Sequence, residues 1–410
     1  MKDKNKKSEP WIKLRHKIVQ RTLAPLFAPF CRWKYGIDIK DFRKEQGDRP
    51  FLILMNHQTV FDQFFVAIAF QRPVYFIATE DIFSNGWVSS LIRWLVAPIP
   101  IKKQTSDLRA VRTCLKVAKE GGTIALAPEG NRTYDGKTVY INPAIAALAR
   151  KLRMPIAFFR IEGGYGVDPR WGGKVRKGKM KAYVSRVIEP EELAGYSSEE
   201  LYDIICKELY VNEAVVDGEF HHKQLAEYLE RVFYVCPHCG LSVFESHNDI
   251  VECKTCGRQI RYLPTREFQG VGFEFPHRFV SDWYDAQNDY VNQLDLSAYT
   301  DFPMYTDRAD FSEVIVYKKK VLLKQNAEIK LYGNRICIAE GQECEHSLMF
   351  DTLSVVTVLG RNKLNIYCGD KIYQLKGNKR FNALKYMNIF HRYQNGKQLT
   401  GGENGKFLGL

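Results

Sequence analysis

The middle of the chain alternates between short apolar runs and longer amphipathic segments. Helical patterns such as residues 105–122 and 142–153 separate four strand-like runs: FLILM at 51–55, VYFIA at 74–78, TIALA at 123–127 and PIAFF at 155–159. Short apolar runs bounded by turn residues favour buried strands, and their alternation with helices favours parallel pairing. The pattern predicts an α/β domain over residues 50–230, with a mostly parallel sheet flanked by helices.

The pattern changes to two-residue alternation near the C-terminal end. The runs EIKLY and RICIA flank a Gly-Asn pair, KLNIY and KIYQL flank Cys-Gly-Asp, and the helical segment RFNALKYMNIFHRYQ follows. Alternating runs around such turns indicate β-hairpins. We predict a β-rich domain closed by one helix over 311–400, preceded by a helical linker over 263–310 and followed by a tail at 401–410.

The first 49 residues form a basic, amphipathic segment. The apolar residues Val19, Leu23, Leu26 and Phe30 recur at helical spacing. Lysines and arginines lie on the other faces, and a tryptophan lies near each end of the segment. This pattern is typical of a helix lying in a membrane interface. A helix packed on its own domain, with a solvated basic face, is the alternative interpretation.

The net charge of the chain indicates a class of binding partner only when the positions of the charged residues are considered. The 410 residues carry a formal charge of +13, and in the first fifty Lys and Arg outnumber Asp and Glu by 14 to 6. A basic chain favours nucleic acid, an anionic membrane surface or phosphorylated substrates. Without an uncharged run of about 18 residues or a secretory signal, we expect no transmembrane helix and a cytoplasmic protein, peripheral on the inner face of the cell membrane.

One histidine combines a nearby carboxylate with a suitable setting. An aspartate follows five positions after three histidines, as His57–Asp62, His277–Asp282 and His346–Asp351. Only the first pair lies between a strand-like run and a helical one. A carboxylate beside a histidine fixes its tautomer and stabilises the imidazolium. We predict that His57 is a general base oriented by Asp62.

A second loop supplies groups suited to an anionic substrate. Residues 127–132 read APEGNR and follow a later strand, so in a parallel sheet they reach the same edge as His57. A turn glycine and an arginine suit phosphate binding, and Lys102 and Lys103 add further cations. Because no Ser or Cys occupies a G-x-S-x-G turn, the nucleophile would come from the substrate.

Four ordered blocks resemble the glycerophospholipid acyltransferase family, which makes phosphatidic acid from lysophosphatidic acid. They are Asn56-His57 with Asp62, the IPIKK run at 99–103, the PEGNR run at 128–132 and the MPIAF run at 154–158. The resemblance covers roughly residues 45–210 and implies the acyltransferase fold. It also implies an acyl-CoA or acyl-carrier-protein thioester donor, a lysophospholipid acceptor and no catalytic cofactor.

By the same resemblance, His57 and Asp62 are catalytic, whereas the substrate-binding residues are Asn56, Lys102, Lys103, Glu129, Gly130 and Arg132. The family usually has Arg at position 103 and Thr at position 131, where this chain has Lys and Asn. Lysine supplies a positive charge but not the planar guanidinium that binds phosphate with two hydrogen bonds, so the acceptor can differ from that of the family. A non-catalytic lipid- or protein-binding scaffold is the alternative function, and a thioesterase or lipase is a further one.

Two C-x-x-C pairs with thirteen residues between them predict a metal site. Cys236, Cys239, Cys253 and Cys256 have the spacing of a zinc ribbon, here over residues 231–262, with structural zinc held by four thiolates. His238 and His247 are outside candidates for ligands, and redox chemistry is a further alternative. Zinc ribbons occur in nucleic-acid-binding proteins, but the intervening loop is acidic, which argues against such a partner.

The C-terminal strands and final helix resemble a pleckstrin-homology-like domain. Such folds bind lipids or protein partners. Residues 170–181 form a basic stretch without an acidic residue. This stretch is a candidate contact for an acidic carrier protein or a membrane, and a solvated charge run is the alternative.

Overall fold

In the computed structural model, the described residues are 9–398, apart from positions 72, 80–82, 84–86, 102–107, 316–319 and 344. The chain divides into two compact units. Unit 1 comprises residues 1–130, 141–161 and 181–210, and unit 2 comprises residues 131–140, 162–180 and 211–410. Each unit is therefore discontinuous in sequence, and the chain passes between them several times.

The described residues form eleven α-helices. They are α1 Leu14–Tyr35, α2 Arg43–Gln46, α3 Asp62–Ala69, α4 Trp87–Val96, α5 Leu108–Lys119, α6 Ala144–Leu152, α7 Gly164–Val167, α8 Pro190–Gly195, α9 Ser198–Leu209, α10 Val280–Gln293 and α11 Leu384–Gln398. Short 3₁₀ helices cover Leu229–Arg231, Leu296–Tyr299 and Phe350–Thr352.

The strands of unit 1 are β1 Ile37–Ile39, β2 Leu52–Met55, β3 Val74–Thr79, β4 Ile99–Ile101, β5 Thr123–Leu126, β6 Ile156–Glu162 and β7 Met180–Ile188. They form one sheet in the order β1-β7-β6-β2-β5-β3-β4. Strand β2 pairs in parallel with β5 and β6, and β3 pairs in parallel with β5 and β4. All four predicted strand runs are confirmed, and their parallel pairing agrees with the predicted α/β class.

The central strand of this sheet, β2, is apolar at every position. All four residues of β2 are buried, as expected for a strand covered on both faces. Ile124, Ile156, Phe158 and helix residues such as Val117 complete the core. Because β2 lies between β5 and β6, the loops that follow β2 and β5 leave the sheet side by side at the carboxyl edge.

Helix α1 is long, contains Pro25 and Pro29 and packs against α3 and α4. Phe27 stacks on Phe64 of α3, with 4.9 Å between ring centroids. Arg15 Nε donates to the Trp94 carbonyl of α4 at 2.8 Å. The helix is thus attached to its own domain, yet much of its apolar surface is exposed. The contacts agree with the alternative interpretation, a helix packed on its own domain, and the membrane-interface interpretation stays a prediction.

The strands of unit 2 are β8 Val235–Cys236, β9 Gly240–Leu241, β10 Phe244–His247, β11 Ile250–Cys253, β12 Gln259–Tyr262, β13 Phe268–Gly270, β14 Tyr305–Val314, β15 Lys320–Leu331, β16 Arg335–Ile338, β17 His346–Met349, β18 Leu353–Leu359, β19 Lys363–Cys368 and β20 Lys371–Gly377. They form a two-stranded sheet β8-β9, a four-stranded sheet β10-β11-β12-β13 and a seven-stranded sheet β17-β16-β15-β14-β20-β19-β18. Both predicted hairpins are confirmed as the antiparallel pairs β15–β16 and β19–β20.

Unit 2 has a core that is continuous from the cysteine-bearing strands to the C-terminal sheet. Phe233 stacks on Trp283 of α10 at 3.7 Å between centroids, and Phe244 of β10 meets the same indole edge-on at 5.4 Å. Tyr305 of β14 donates its hydroxyl to the Tyr234 carbonyl at 2.6 Å. The cysteine-bearing segment, the linker and the C-terminal sheet therefore pack together, although the sequence pattern suggested separate modules.

The predicted segment boundaries differ from the observed elements in several places. The opening segment 1–49 contains β1, which pairs at the edge of the sheet in unit 1. The segment 263–310 contains helix α10 but also β13 and the start of β14. No helix within the described residues is both long and apolar enough to span a membrane.

Candidate active site

The candidate site lies where β2 and β5 end in unit 1. Met55 closes β2 and is followed by Asn56 and His57, whereas Leu126 closes β5 and precedes the loop with Glu129. The His57 backbone N–H donates to Glu129 Oε1 at 2.8 Å. The sequence predicted that the two loops share one edge of the sheet, and this hydrogen bond joins them directly.

His57 and Asp62 form a hydrogen-bonded pair. The distance from His57 Nδ1 to Asp62 Oδ2 is 2.8 Å. The imidazole is 26% exposed, whereas the carboxylate is completely buried. With Nδ1–H donated to Asp62, the other ring nitrogen Nε2 keeps its lone pair on the accessible side. This arrangement suits a base that takes a proton from a bound molecule.

The Asp62 carboxylate is held by more than the histidine. It accepts the backbone N–H groups of Gln58 at 2.7 Å and Thr59 at 2.9 Å, and the Thr59 hydroxyl at 2.7 Å. Asp62 is also the first residue of α3, where the partial positive charge of the helix end favours an anion. The carboxylate is therefore fixed in position before any substrate binds.

Thr59 is a site residue that the sequence reasoning missed. Its hydroxyl links the Asp62 carboxylate to the loop and accepts the Phe61 backbone N–H at 3.0 Å. A signal was present, because Thr-x-x-Asp is the spacing at which a hydroxyl and a carboxylate cap the start of a helix. We infer that Thr59 positions Asp62, which in turn positions His57.

Glu129 and Gly130 form the turn after β5. Glu129 is buried, and its carboxylate is directed at the backbone of His57. Gly130 has φ of +67°, and its backbone N–H donates to the Ala127 carbonyl at 3.0 Å. This left-handed conformation favours glycine. Their substrate-binding role stays a prediction, whereas their contribution to the shape of the loop is observed.

The side-chain amide of Asn56 joins β2 to β6. Its Nδ2 donates to the Ile161 carbonyl at 2.8 Å, and its Oδ1 accepts the Ile161 N–H at the same distance. Asn56 is fully buried. This pair of hydrogen bonds to the backbone fixes the residue before His57. The contact of Asn56 with substrate stays a prediction.

Arg132 lies in unit 2, unlike the other described site residues. Its guanidinium is 8% exposed, lies 3.5 Å from Asp168 Oδ2 and donates to the Asp168 carbonyl. Arg170 Nη1 donates to the Arg132 carbonyl at 2.7 Å. The predicted phosphate contact of Arg132 is untested, and Lys102 and Lys103 lie outside the described residues.

The other two His–Asp pairs serve different purposes. Asp282 accepts the backbone N–H of Phe279 at 2.9 Å at the start of α10. Asp351 accepts the Tyr393 hydroxyl at 2.9 Å. Equal sequence spacing therefore leads to a helix cap in one place, a side-chain anchor in another and a buried orienting carboxylate only beside His57.

The four predicted metal ligands come together in unit 2. The sulfur atoms of Cys236, Cys239, Cys253 and Cys256 all lie within 4.8 Å of one another, and within the described residues they are the one group of this kind. Two sulfur pairs are separated by 3.9 and 3.6 Å. A tetrahedral zinc with Zn–S of about 2.3 Å places its sulfurs about 3.8 Å apart. The geometry fits a structural zinc held by four cysteines. Neither candidate histidine, His238 or His247, belongs to this group.

The environment of Cys253 favours its thiolate. Burial raises the pKa of Cys253, but hydrogen bonds from the Ser242 hydroxyl and the Cys256 and Thr255 backbones more than offset it, and the pKa is lowered to about 7. The Ser242 oxygen lies 3.0 Å from the sulfur. Metal ligation requires the thiolate, so this second layer of contacts suits a zinc ligand.

Comparison with known proteins finds a family that is similar to the segment containing the candidate site. The Acyltransferase family model matches residues 37–161, a span that contains His57, Asp62 and Glu129. This segment is therefore similar to the Acyltransferase family, and acyl transfer is the general chemistry that the comparisons support.

The relatives share a name but little sequence. The 1-acyl-sn-glycerol-3-phosphate acyltransferase of Bacillus subtilis is 23% identical over 40% of this chain and 79% of its own length. The chloroplastic enzymes BAT2 of Brassica napus and LPAT1 of Arabidopsis thaliana are 23% and 21% identical. The chain spans about half the length of these two plant relatives, at 54% and 53%.

A solved structure is also similar. The crystal structure of the 1-acyl-sn-glycerophosphate (LPA) acyltransferase PlsC from Thermotoga maritima aligns with 25% identity and a TM-score of 0.40. The alignment covers 47% of this chain and 77% of that chain.

Proposed function

We propose that unit 1 transfers a fatty acyl group from a thioester donor to the free hydroxyl of a lysophospholipid. The donor is acyl-CoA or acyl-carrier protein, and the simplest acceptor is lysophosphatidic acid, which becomes phosphatidic acid. The observation that carries the proposal is the imidazole of His57, 26% exposed and held at 2.8 Å by the buried carboxylate of Asp62. The relatives' names support this choice of substrates.

The proposed step uses His57 as a general base and Asp62 as the group that orients it. Nε2 of His57 takes the proton of the acceptor hydroxyl while the oxygen attacks the thioester carbonyl carbon. The carbon–sulfur bond breaks, and the departing thiolate takes the proton from the imidazolium. Asp62 keeps the ring in the required tautomer and stabilises its transient positive charge. The chain needs no covalent intermediate.

We also propose that helices α1 and α4 hold unit 1 on an anionic membrane surface. Large apolar side chains project into solvent from both helices, and the most exposed are Trp33 at 82% and Trp87 at 77%. Helix α1 contains no acidic residue, and its exposed cations include Lys17, Arg21 and Arg32. Exposed aromatic and basic side chains on one helix suit the interface of a bilayer with anionic lipids.

The position of α1 supports a link between membrane contact and chemistry. Phe30 of α1 lies 6.0 Å from Phe61, the residue before Asp62, measured between ring centroids. Lys34 Nζ lies 5.0 Å from the centre of the same ring. A lipid acceptor entering beside α1 would therefore meet the loop that carries His57. This location corresponds to a peripheral protein on the inner face of the cell membrane.

The test is an acyl-transfer assay with a panel of lyso-acceptors and both thioester donors, followed by mass spectrometry of the lipid product. We expect turnover by the wild type and its loss in His57→Ala. His277→Ala is the matched control, because His277 has an aspartate at the same spacing but belongs to unit 2. If His57→Ala retains full activity, or if no donor and acceptor react, the enzymatic proposal fails. Binding to lipid without turnover would instead favour the scaffold function.

A further inference from the structure

Unit 2 contains a cavity of about 300 Å³ whose wall is strongly basic. Four cationic side chains line it together with one carboxylate and one aromatic ring; these are Lys174, Arg231, Arg361, Lys379, Glu227 and Tyr228. The cavity combines residues from a loop before β7, from the segment around the first 3₁₀ helix, from the β18–β19 turn and from the segment after β20. No motif in the sequence joins these four places.

The acidic groups around this cavity are already paired with arginines, one of which, Arg361, belongs to the cavity wall. Glu227 Oε1 lies 2.5 Å from Arg380 Nη2, and the neighbouring Glu230 lies 2.6 Å from Arg380 Nη1. Asp168 pairs with Arg361 at 3.2 Å and with Arg132 at 3.5 Å. With Arg132 and Arg380 added to the four cations of the wall, six cations surround three carboxylates, an excess of three positive charges.

Arg231 is the buried cation of this cavity. It is 4% exposed, and its partners are carbonyl oxygens: Nε donates to Lys379 at 2.7 Å, Nη1 to Trp171 at 2.7 Å, and Nη2 to Lys379. Within the described residues, no carboxylate forms an ion pair with Arg231, Lys174 or Lys379. These three bonds use three of its five N–H donors, which leaves two.

The charge of Arg231 is therefore poorly compensated. Burial and the nearby charge of Arg361 lower the pKa of Arg231 to about 10, although the charge of Glu230 offsets part of this effect. Two guanidinium groups repel each other in a desolvated place unless an anion lies near them. A bound anion would relieve both the burial cost and the repulsion.

The wall behind Arg231 is closely packed. Its guanidinium lies 4.0 Å from the centre of the Tyr228 ring, and a Cβ added at Gly173 would lie 2.5 Å from the same ring. Only glycine allows the loop with Lys174 to approach Tyr228 this closely. The packing fixes the direction of the guanidinium and brings the Lys174 backbone to the edge of the cavity.

We propose that this basic cavity binds the phosphate group of a small phosphomonoester. Such a group carries about −1.5 to −2 charges and three acceptor oxygens, which match the excess charge and the free arginine donors. The volume lies at the lower end of the roughly 300–1,000 Å³ found for small-molecule sites, so a phosphate with a short attached group fits. The proposal is independent of the acyl-transfer proposal, because every residue lies in unit 2.

The test measures binding by the full chain in two arms. In the first arm, titration calorimetry uses inorganic phosphate and glycerol 3-phosphate; in the second, flotation uses phosphatidylcholine vesicles with and without phosphatidic acid. The variant is Lys174→Gln/Lys379→Gln, whose two lysines are exposed and outside the core. The matched control is Lys207→Gln/Lys371→Gln, which removes the same charge from two other exposed positions. Unchanged melting temperatures confirm that all variants fold.

We expect Lys174→Gln/Lys379→Gln to weaken binding by about tenfold, because charged hydrogen bonds are lost, and the control to bind like the wild type. Loss in the first arm identifies a soluble phosphomonoester as the ligand, and loss confined to the second identifies a lipid headgroup. Absence of binding in both arms, or equal binding by the variant and the wild type, overturns the proposal. His57→Ala should still bind, so failure here is distinct from failure of acyl transfer.

Discussion

The two seven-stranded sheets of this chain use their loops in different ways. In unit 1, the neighbouring parallel strands β2 and β5 end at one edge, where His57 and Glu129 meet. In unit 2, every recorded strand pairing of the large sheet is antiparallel, so consecutive loops alternate between its two ends. Parallel pairing brings loops distant in sequence to one place, and antiparallel pairing separates neighbouring ones.

The same contrast explains why the three His–Asp pairs have different structural roles. Each His–Asp pair has a spacing of five, but only His57–Asp62 follows the end of a central parallel strand and starts a helix. There the aspartate is buried beside the histidine. In unit 2 the corresponding aspartates cap α10 or hold Tyr393. Topology, not spacing, distinguishes the candidate catalytic pair.

The largest expected effect is that of Asp62→Asn on acyl transfer. An amide cannot hold the histidine in the same tautomer or stabilise its charged form, so we expect kcat to fall by roughly 1,000-fold or more. Asp282→Asn, which alters the equally spaced pair in unit 2, should leave kcat unchanged. Steady-state kinetics with the substrates proposed above measures both. Similar losses in the two variants would abolish the contrast between the units.

Next in size is the loss of metal from unit 2. We expect about one zinc per chain by elemental analysis, and Cys253→Ser should lose it and reduce the unfolding free energy by at least about 3 kcal/mol. Acidification should also release zinc, because protons compete for the thiolates. Cys368→Ser is the control, since Cys368 is outside the cluster. A stable, zinc-free wild type would exclude the metal site.

A smaller effect is expected from Gly130→Ala in the loop after β5. The backbone is left-handed at φ +67°, but an added Cβ would meet nothing within 4 Å. The cost is therefore conformational only, about 1–2 kcal/mol of unfolding free energy. Gly195→Ala, which also meets open space but has no positive φ, should be neutral or slightly stabilising. Denaturant titration that finds the two variants equal would show that the turn is not strained.

The smallest effect concerns the membrane surface proposed for unit 1. Trp33→Ala removes an 82% exposed indole, and we expect about fivefold weaker partitioning into anionic vesicles, a loss of about 1 kcal/mol. Phe302→Ala, at a 75% exposed position in unit 2, is the matched control. Vesicle flotation compares them. Equal weakening by both variants would mean that exposed aromatic area, rather than α1, determines binding.

Much of unit 1 could be predicted from the sequence because local pattern and pairing agree there. The four apolar runs form strands β2, β3, β5 and β6, and the fully buried pattern of the central strand β2 is typical of parallel sheets. The turn glycines and two-residue alternation likewise identified the hairpins β15–β16 and β19–β20. Each of these features depends on residues that are close in sequence.

Arg132 and the basic stretch 170–181 show where that reasoning ends. Arg132 is the last residue of the predicted phosphate loop, yet it pairs with the buried Asp168 in unit 2. In the stretch, Arg170 and Arg176 are buried and stack on Tyr134 and Trp171 at 4.2 and 4.7 Å. Only some of these charges face solvent. Partners forty or more residues away, such as Val358 and Leu225, accept their hydrogen bonds.

By itself, the sequence determined the α/β class of unit 1, the hairpins of unit 2, the grouping of four cysteines and the identity of His57 and Asp62 as a candidate pair. Only the tertiary structure decided that Thr59 secures this pair, that the cysteine-bearing strands share their core with the C-terminal sheet, and that Lys174, Arg231, Arg361 and Lys379 surround one cavity. The physical reason is range: periodicity and turn chemistry act within a few residues, whereas burial, charge compensation and cavity shape depend on segments that meet only after the chain has folded.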